Sequence, residues 1–287
     1  MPAELTVFLN GNYVAQSEAR ISPFDRGFLL SDSVYELIPF YKGIGVGIIE
    51  HLTRLTHSLQ TIHMQNPYSD AEWRMICQTL LQKNTHLGEN QGVYLQISRG
   101  IQPIRNHAIP AQYTPTVFAY SAEIPVRPLE EITRGYKVIT HPDERRLNCS
   151  IKATGLLPNV LAMTKVQQQG AIEAILIRDG FAMECCASNF FLVHNHTLMT
   201  SPATSAILNG VTRQLVLRIA AEQGISYLER PIKREELFTA DEVWITSSIK
   251  EVLPIVQIDE HIVGPGKPGP LWRNMYNWYQ RLKKYLM

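Results

Sequence analysis

The chain has 287 residues, in which 27 lysines and arginines face 26 aspartates and glutamates for a formal net charge of +1. That length can bury the core of one large domain or of two ordinary ones. So even a balance, with no extended basic run and no heptad series, argues against nucleic acid or an anionic membrane as the partner and leaves small neutral or zwitterionic molecules open.

The opening stretch, Met1 to Gly11, lacks the basic start and apolar block of a secretory signal, and no apolar run approaches the length of a membrane span. A cytoplasmic protein is therefore expected. Leu5 to Leu9 alternates weakly, and Asn10-Gly11-Asn12 predicts a hairpin turn into Tyr13-Val14-Ala15. Val34 to Tyr41 is rich in strand formers, Lys42-Gly43 reads as a turn, and a short strand is expected at Val46 to Ile49. From Glu50 the spacing of Leu52, Leu55, Leu59 and Ile62 predicts a helix whose first turn presents His51 and Arg54. Ser69-Asp70-Ala71-Glu72 is a capping box and predicts a second helix to Lys83. Strands follow at Val93 to Ser98 and Thr116 to Ala122.

Pro125 and Pro128 fit neither a helix interior nor a central strand, so residues 123–130 are read as a linker. The fold class expected is α+β: a smaller sheet-and-helix domain over residues 1–122, then a larger, barrel-like sheet domain over 131–287 that carries Lys152. Within the latter the pattern predicts strands at Tyr136 to Thr140, 174–177, 182–184, 189–194, 197–200, 242–246 and 255–258. Helices are predicted at 158–169, 211–223, 234–238 and 271–285. Cys77, Cys149, Cys185 and Cys186 match no zinc spacing and read as reduced thiols, so no metal is expected.

Five features could carry chemistry. Lys152, in Ile151-Lys152-Ala153-Thr154, is flanked by small and apolar residues; a desolvated amine there could condense with a carbonyl, although read alone it is equally a solvated surface lysine. Leu208-Asn209-Gly210-Val211-Thr212-Arg213 places a glycine before a helix start, which offers free backbone N–H groups and the Thr212 hydroxyl to an anion, or is an ordinary helix end. Thr246-Ser247-Ser248 ends a strand in three hydroxyls. Glu184 ends an apolar strand and needs a cation, either a ligand's or an arginine. Arg105-Asn106-His107 sets two donor side chains two residues apart in a loop, a spacing suited to a carboxylate or to plain solvation.

In this order, and with Arg26-Gly27-Phe28, Asp32-Ser33-Val34-Tyr35-Glu36 and Glu50-His51-Leu52-Thr53-Arg54-Leu55, the pieces resemble the class IV aminotransferases, the fold type IV pyridoxal 5'-phosphate enzymes. The likeness runs from about Leu9 to about Ile258. The resemblance implies that Lys152 forms the Schiff base with the cofactor, that Glu184 contacts its pyridine nitrogen, that Arg54, Val211, Thr212 and Ser248 hold its phosphate, and that Leu208 packs on its ring. Arg105-Asn106-His107 resembles the substrate-carboxylate motif of the D-amino acid aminotransferase branch, with Tyr35 as the third member. That branch implies a homodimer in which Arg105 and His107 come from the other subunit, D-alanine and 2-oxo acids such as 2-oxoglutarate as substrates, and a ping-pong reaction. Branched-chain L-amino acid and R-amine transaminases and aminodeoxychorismate lyases share the scaffold and stand as the alternative. Cys185-Cys186-Ala187 and Ser31-Asp32-Ser33 depart from the glycine- and serine-rich versions common in relatives.

Overall fold

The protein is described by a computed structural model over residues 4–285; Met1 to Ala3 of the terminus read above, and the last two residues of the chain, lie outside the described residues. Two compact units form, one from residues up to Pro125 together with Ile151–Gly155, the other from Val126–Ser150 and Leu156–Tyr285.

In the first unit β1 (Thr6–Leu9) and β2 (Asn12–Ala15) are joined by Asn10 at φ 49° and Gly11 at φ 90°, the paired positive angles of a tight hairpin turn. Then come α1 (Arg26–Leu30), β3 (Ser33–Tyr41), β4 (Ile44–Gly45), α2 (Ile48–Thr61), α3 (Asp70–Lys83), β5 (Asn90–Ser98) and β6 (Thr116–Glu123). The six strands form one antiparallel sheet in the order β2-β1-β6-β5-β3-β4. The Ser69 and Glu72 capping box of α3 is present as its sequence signals.

One local expectation fails, and one helix was not foreseen. The strand expected at Val46 to Ile49 is only Ile44–Gly45, because Gly47 turns left-handed at φ 67° and Ile48 and Ile49 already belong to α2. Ahead of β3, where no element was expected, α1 forms; the Asp25 carboxylate accepts from the Gly27 N–H at 2.7 Å and caps it.

Leu52, Leu55 and Leu59 of α2 and Trp73, Ile76 and Leu80 of α3 bury against Val34, Ile38 and Phe40 of β3 and Val93, Leu95 and Ile97 of β5. Each such side chain contributes about 1.5–3 kcal/mol. The twofold period of β3 lines up Glu36 with Val34 and Ile38 on this helix-facing side and turns Tyr35 to the other. Beyond β4 the edge of β3 is open, and Ile151–Gly155 takes it: Tyr35 N–H donates to Lys152 O at 2.9 Å, Thr154 N–H donates to Ser33 O at 3.2 Å, and Val34 bridges Ala153. Lys152, placed by chain order in the C-terminal domain, thus belongs by its hydrogen bonds to the first unit.

The second unit contains α4 (Leu129–Ile132), β7 (Tyr136–Pro142), α5 (Leu157–Gln168), β8 (Glu173–Arg178), β9 (Phe181–Cys185), β10 (Asn189–His194), β11 (Thr197–Thr200) and α6 (Val211–Glu222). It continues through β12 (Tyr227–Glu229), β13 (Ile232–Lys233), β14 (Glu242–Ser247), β15 (Glu251–Ile258), β16 (His261–Ile262) and α7 (Pro270–Tyr285). Residues 234–238, expected as a short helix, form a short 3-10 helix. The strands make one ten-stranded sheet that runs β12-β11-β10-β14-β15-β7-β8-β9-β13, with β16 on β15, and curls as a half-barrel. Strand β15 starts at Glu251, ahead of the expected Ile255. Pairing with β7 begins only at Ile255, so Pro254 sits where that edge of the strand is unpaired.

Candidate functional site

Candidate groups gather in two sets, one within each unit. In the first, Lys152 is half-buried rather than enclosed, and its Nζ lies 4.3 Å from the centre of the Tyr35 ring. Its backbone is held at both ends: the N–H donates to Ser58 Oγ at 3.3 Å and the carbonyl accepts from Tyr35. Tyr35 in turn stacks on Tyr94 with ring centres 5.5 Å apart. The lysine thus reaches out from a backbone fixed against β3 and α2.

Beneath this, Glu36 is wholly buried and binds two side chains of α2. Arg54 donates from Nε to Glu36 Oε1 at 2.7 Å and from a terminal nitrogen to Oε2 at 2.8 Å, while His51 Nδ1 meets Oε2 at 2.7 Å. The helical spacing of three residues puts His51 and Arg54 on one face, and the alternation of β3 puts Glu36 opposite them. Burial alone would raise the Glu36 pKa, but the Arg54 charge and the bonds from Arg54 and His51 outweigh it and hold the carboxyl well below its usual range. Burial likewise pushes the His51 imidazole below its ordinary value, against the pull of Glu36. Glu36 carries a role the sequence did not reveal, although an acid inside an apolar strand facing a helix with His51 and Arg54 was a readable signal.

In the second unit Glu184 ends β9 with little exposure. Its Oε1 accepts from Arg145 and from the Leu208 N–H at 3.0 Å, and its Oε2 accepts from the Asn189 amide at 3.2 Å. Of the two cations the sequence allowed, an arginine is present, and Arg145 is itself gripped by Asp143 at 2.8 and 2.9 Å. Asn189 also donates to Leu208 O at 2.9 Å, tying the strand that follows Glu184 to the turn before α6. A Cβ at Gly210 would come within 2.0 Å of Asn189 Oδ1, so only glycine fits here. Arg145 was not singled out by sequence, and Ser188-Asn189 stood beside Glu184 in the family pattern without a role, because the value of both Arg145 and Asn189 lies in contacts made at a distance along the chain.

Helix α6 begins without a side-chain cap, so the N–H groups of Val211 and Thr212 open its positive end. At the end of β14 the Thr246 hydroxyl is buried with no hydrogen-bond partner among the described residues. Thr246 is the cross-strand partner of Asn189 and faces the same side as the amide that holds Glu184. Ser247 Oγ accepts from the Lys250 N–H at 3.1 Å, and Ser248 follows, half-buried. This second set therefore holds a carboxylate kept ionised, an open helix start and a hydroxyl cluster with an unmet bond, which suits a ligand that is cationic at one end and anionic at the other.

Arg105 and His107 lie on a loop of the first unit. Their side chains are exposed on the loop between β5 and β6, whose backbone is fixed by Arg26: its guanidinium donates to Asn106 O at 2.6 Å and His107 O at 3.5 Å.

Residues 33–258 match the amino-transferase class IV family. The chain belongs to that family, a class of aminotransferases. Among particular relatives, it is 40% identical over 271 residues to a D-alanine aminotransferase of Bacillus licheniformis, covering 94% of each chain. It is 36% identical over 277 residues to a D-alanine aminotransferase of Listeria monocytogenes serotype 4b, covering 96% of this chain and 95% of the relative. Among solved structures, an Escherichia coli branched-chain amino acid aminotransferase superposes with a TM-score of 0.86 at 23% identity, covering 97% of this chain and 94% of that one. At that identity the structural likeness defines the fold, which is that of the fold type IV enzymes.

Proposed function

We propose that the protein is a cytoplasmic, homodimeric, pyridoxal 5'-phosphate-dependent aminotransferase that moves the amino group of D-alanine and similar D-amino acids to 2-oxo acids such as 2-oxoglutarate. The observation that carries the reading is that one unit holds a lysine, Lys152, against Tyr35 and the other holds the carboxylate of Glu184, in a chain with D-alanine aminotransferases among its relatives over nearly full length.

The residues suit that cofactor. The unpartnered Thr246 hydroxyl and the uncapped start of α6 are donors without acceptors, as a phosphate site requires, and Glu184 is an ionised acid, as a pyridine nitrogen requires. Arg54, the Val211 and Thr212 N–H groups and the Ser248 hydroxyl would hold the phosphate, Leu208 would pack on the ring, and Glu184 would keep the ring nitrogen protonated. Bound, the cofactor supplies an electron-withdrawing ring that accepts the electron pair left when the α-C–H bond breaks.

The chain's own groups do the rest. Lys152 Nζ would be the covalent anchor and the base that takes the α-proton, two tasks that suit a half-buried amine on a fixed backbone. Glu36 locks Arg54 so that its charge stays in one place while anions come and go. Tyr35, with Arg105 and His107 of the partner subunit, fixes the substrate carboxylate. Fixing it at one point decides which face of Cα presents its hydrogen to Lys152, and so which enantiomer reacts.

Colour tests the reading. Purified holoenzyme should absorb in the near-visible, and D-alanine alone should bleach that band in a half-reaction; a band that D-alanine leaves unchanged would refute the proposal.

A further inference from the structure

The loop that carries Arg105 and His107 spans residues 99–115 and contains no strand or helix of its own. Its base is tied to the segment before α1. Arg26 N–H donates to Gly100 O at 2.9 Å, Gln102 N–H donates to Phe24 O at 3.1 Å, and Asp25 bridges Ile101. Gly100 holds φ 85° where a Cβ would meet Thr114 O at 1.9 Å, so the two legs of the loop nearly touch. The far leg leans on Arg99, whose guanidinium sits 5.2 Å from the Tyr113 ring and donates to Ile62 O at 2.7 Å.

The tip is held differently. Arg26 is almost wholly buried, and its Nε donates to Asp32 Oδ2 at 2.7 Å while its terminal nitrogens reach the carbonyls of Asn106 and His107. The same Asp32 carboxylate takes Arg99 at 2.8 and 3.0 Å, so one acid joins the far leg to the group that holds the tip. A buried guanidinium is costly unless its donors are used, and here they are shared between one carboxylate and two backbone carbonyls. Only a planar fork spans such a set; an ammonium at the same place serves Asp32 and leaves the carbonyls.

We infer that Arg26 is a positioning residue for substrate recognition: held on Asp32, it sets the backbone at Asn106 and His107 and thereby aims the side chains of Arg105 and His107. The inference rests on the reading that this loop takes the substrate carboxylate. Asp32 leads directly into β3 and Tyr35, whose N–H donates to Lys152 O, so the segment that aims this loop toward the partner subunit's site also carries the carboxylate-binding tyrosine of the chain's own site. The Asp32 that replaces a glycine-rich turn in this chain thereby acquires a task.

The test is a double-mutant cycle on the holoenzyme, with Arg26→Lys and Arg26→Gln made alone and together with Arg105→Ala. Arg26→Lys should raise the KM for D-alanine about tenfold while kcat at saturation and the cofactor band change less than about threefold. On the Arg105→Ala background the same change should add almost nothing, because the group it aims is gone. An unchanged KM, an equal rise on both backgrounds, or loss of folded protein in both Arg26 variants would overturn the inference. Failure of the unmodified enzyme to transaminate D-alanine, read in the same assay, would instead remove the functional reading beneath it.

Discussion

Two carboxylates divide the labour of this molecule, and their surroundings differ in one instructive way. Glu36 is sealed on the helix-facing side of β3 and spends its charge on Arg54 and His51, so it orients a cation. Glu184 is held from behind by Arg145, Asn189 and the Leu208 N–H, so the acid itself is what is oriented. A buried acid in a strand is therefore not one kind of feature. Whether it serves or is served depends on which partner has further work to do.

The comparison can be broken by substitution. The largest effect is expected at the lysine beside the first acid: Lys152→Ala should reduce turnover by at least about a thousandfold while the protein stays folded, measured by steady-state kinetics and circular dichroism. Near-normal rates would remove Lys152 from the chemistry. Next, Glu36→Gln leaves Arg54 buried without a full counter-charge and should cost about 3–5 kcal/mol in denaturant unfolding. Glu184→Gln should cost less, about 1–3 kcal/mol, because Arg145 keeps Asp143, yet should lower kcat more than any effect it has on folding suggests. Equal stability losses with equal kinetic losses would erase the distinction between the two acids. As a calibration, the exposed pair Lys137–Glu260 should be worth no more than about 1 kcal/mol when Glu260 is replaced by alanine.

The smallest effect is in pH. Buried His51 has a folded pKa below its ordinary 6.5, so below that value the unfolded chain takes up a proton that the folded chain resists, and stability falls as the solution is acidified. Glu36, whose folded pKa is also lowered, contributes stability that is fully present above its ordinary 4.5 and is lost only in stronger acid. Denaturation midpoints should therefore decline between about pH 6.5 and pH 5, and His51→Gln should flatten that slope; an identical slope in the variant would place the titration elsewhere.

Much of this was legible in the sequence, for identifiable reasons. The alternation of Val34 to Tyr41, the leucine spacing of α2 and the Ser69 capping box are local signals, and the elements follow them. Lys152, Glu184, Thr212 and Ser248 each had a local signal that alone reads as ordinary, and it was their order along the chain, through the family resemblance, that singled them out. What stayed hidden depends on pairing across the sheet or along a strand edge. Lys152 joins the first unit only because β3 has an open edge for Ile151–Gly155, and Arg145 meets Glu184 from 39 residues away. Helix α1 escaped because its five residues are too few to show a helical period. Arg26 stands in the sequence as part of Arg26-Gly27-Phe28 with no role of its own until its carbonyl partners, about 80 residues on, are in view.

The most direct measurement is a paired assay of the purified enzyme with 2-oxoglutarate as acceptor and either D-alanine or L-valine as donor. Pyruvate and D-glutamate formed from D-alanine, with little or no turnover of L-valine, is the expected result. Faster reaction of L-valine would contradict the assignment of Arg105 and His107 and place the chain with the branched-chain enzymes whose fold it shares.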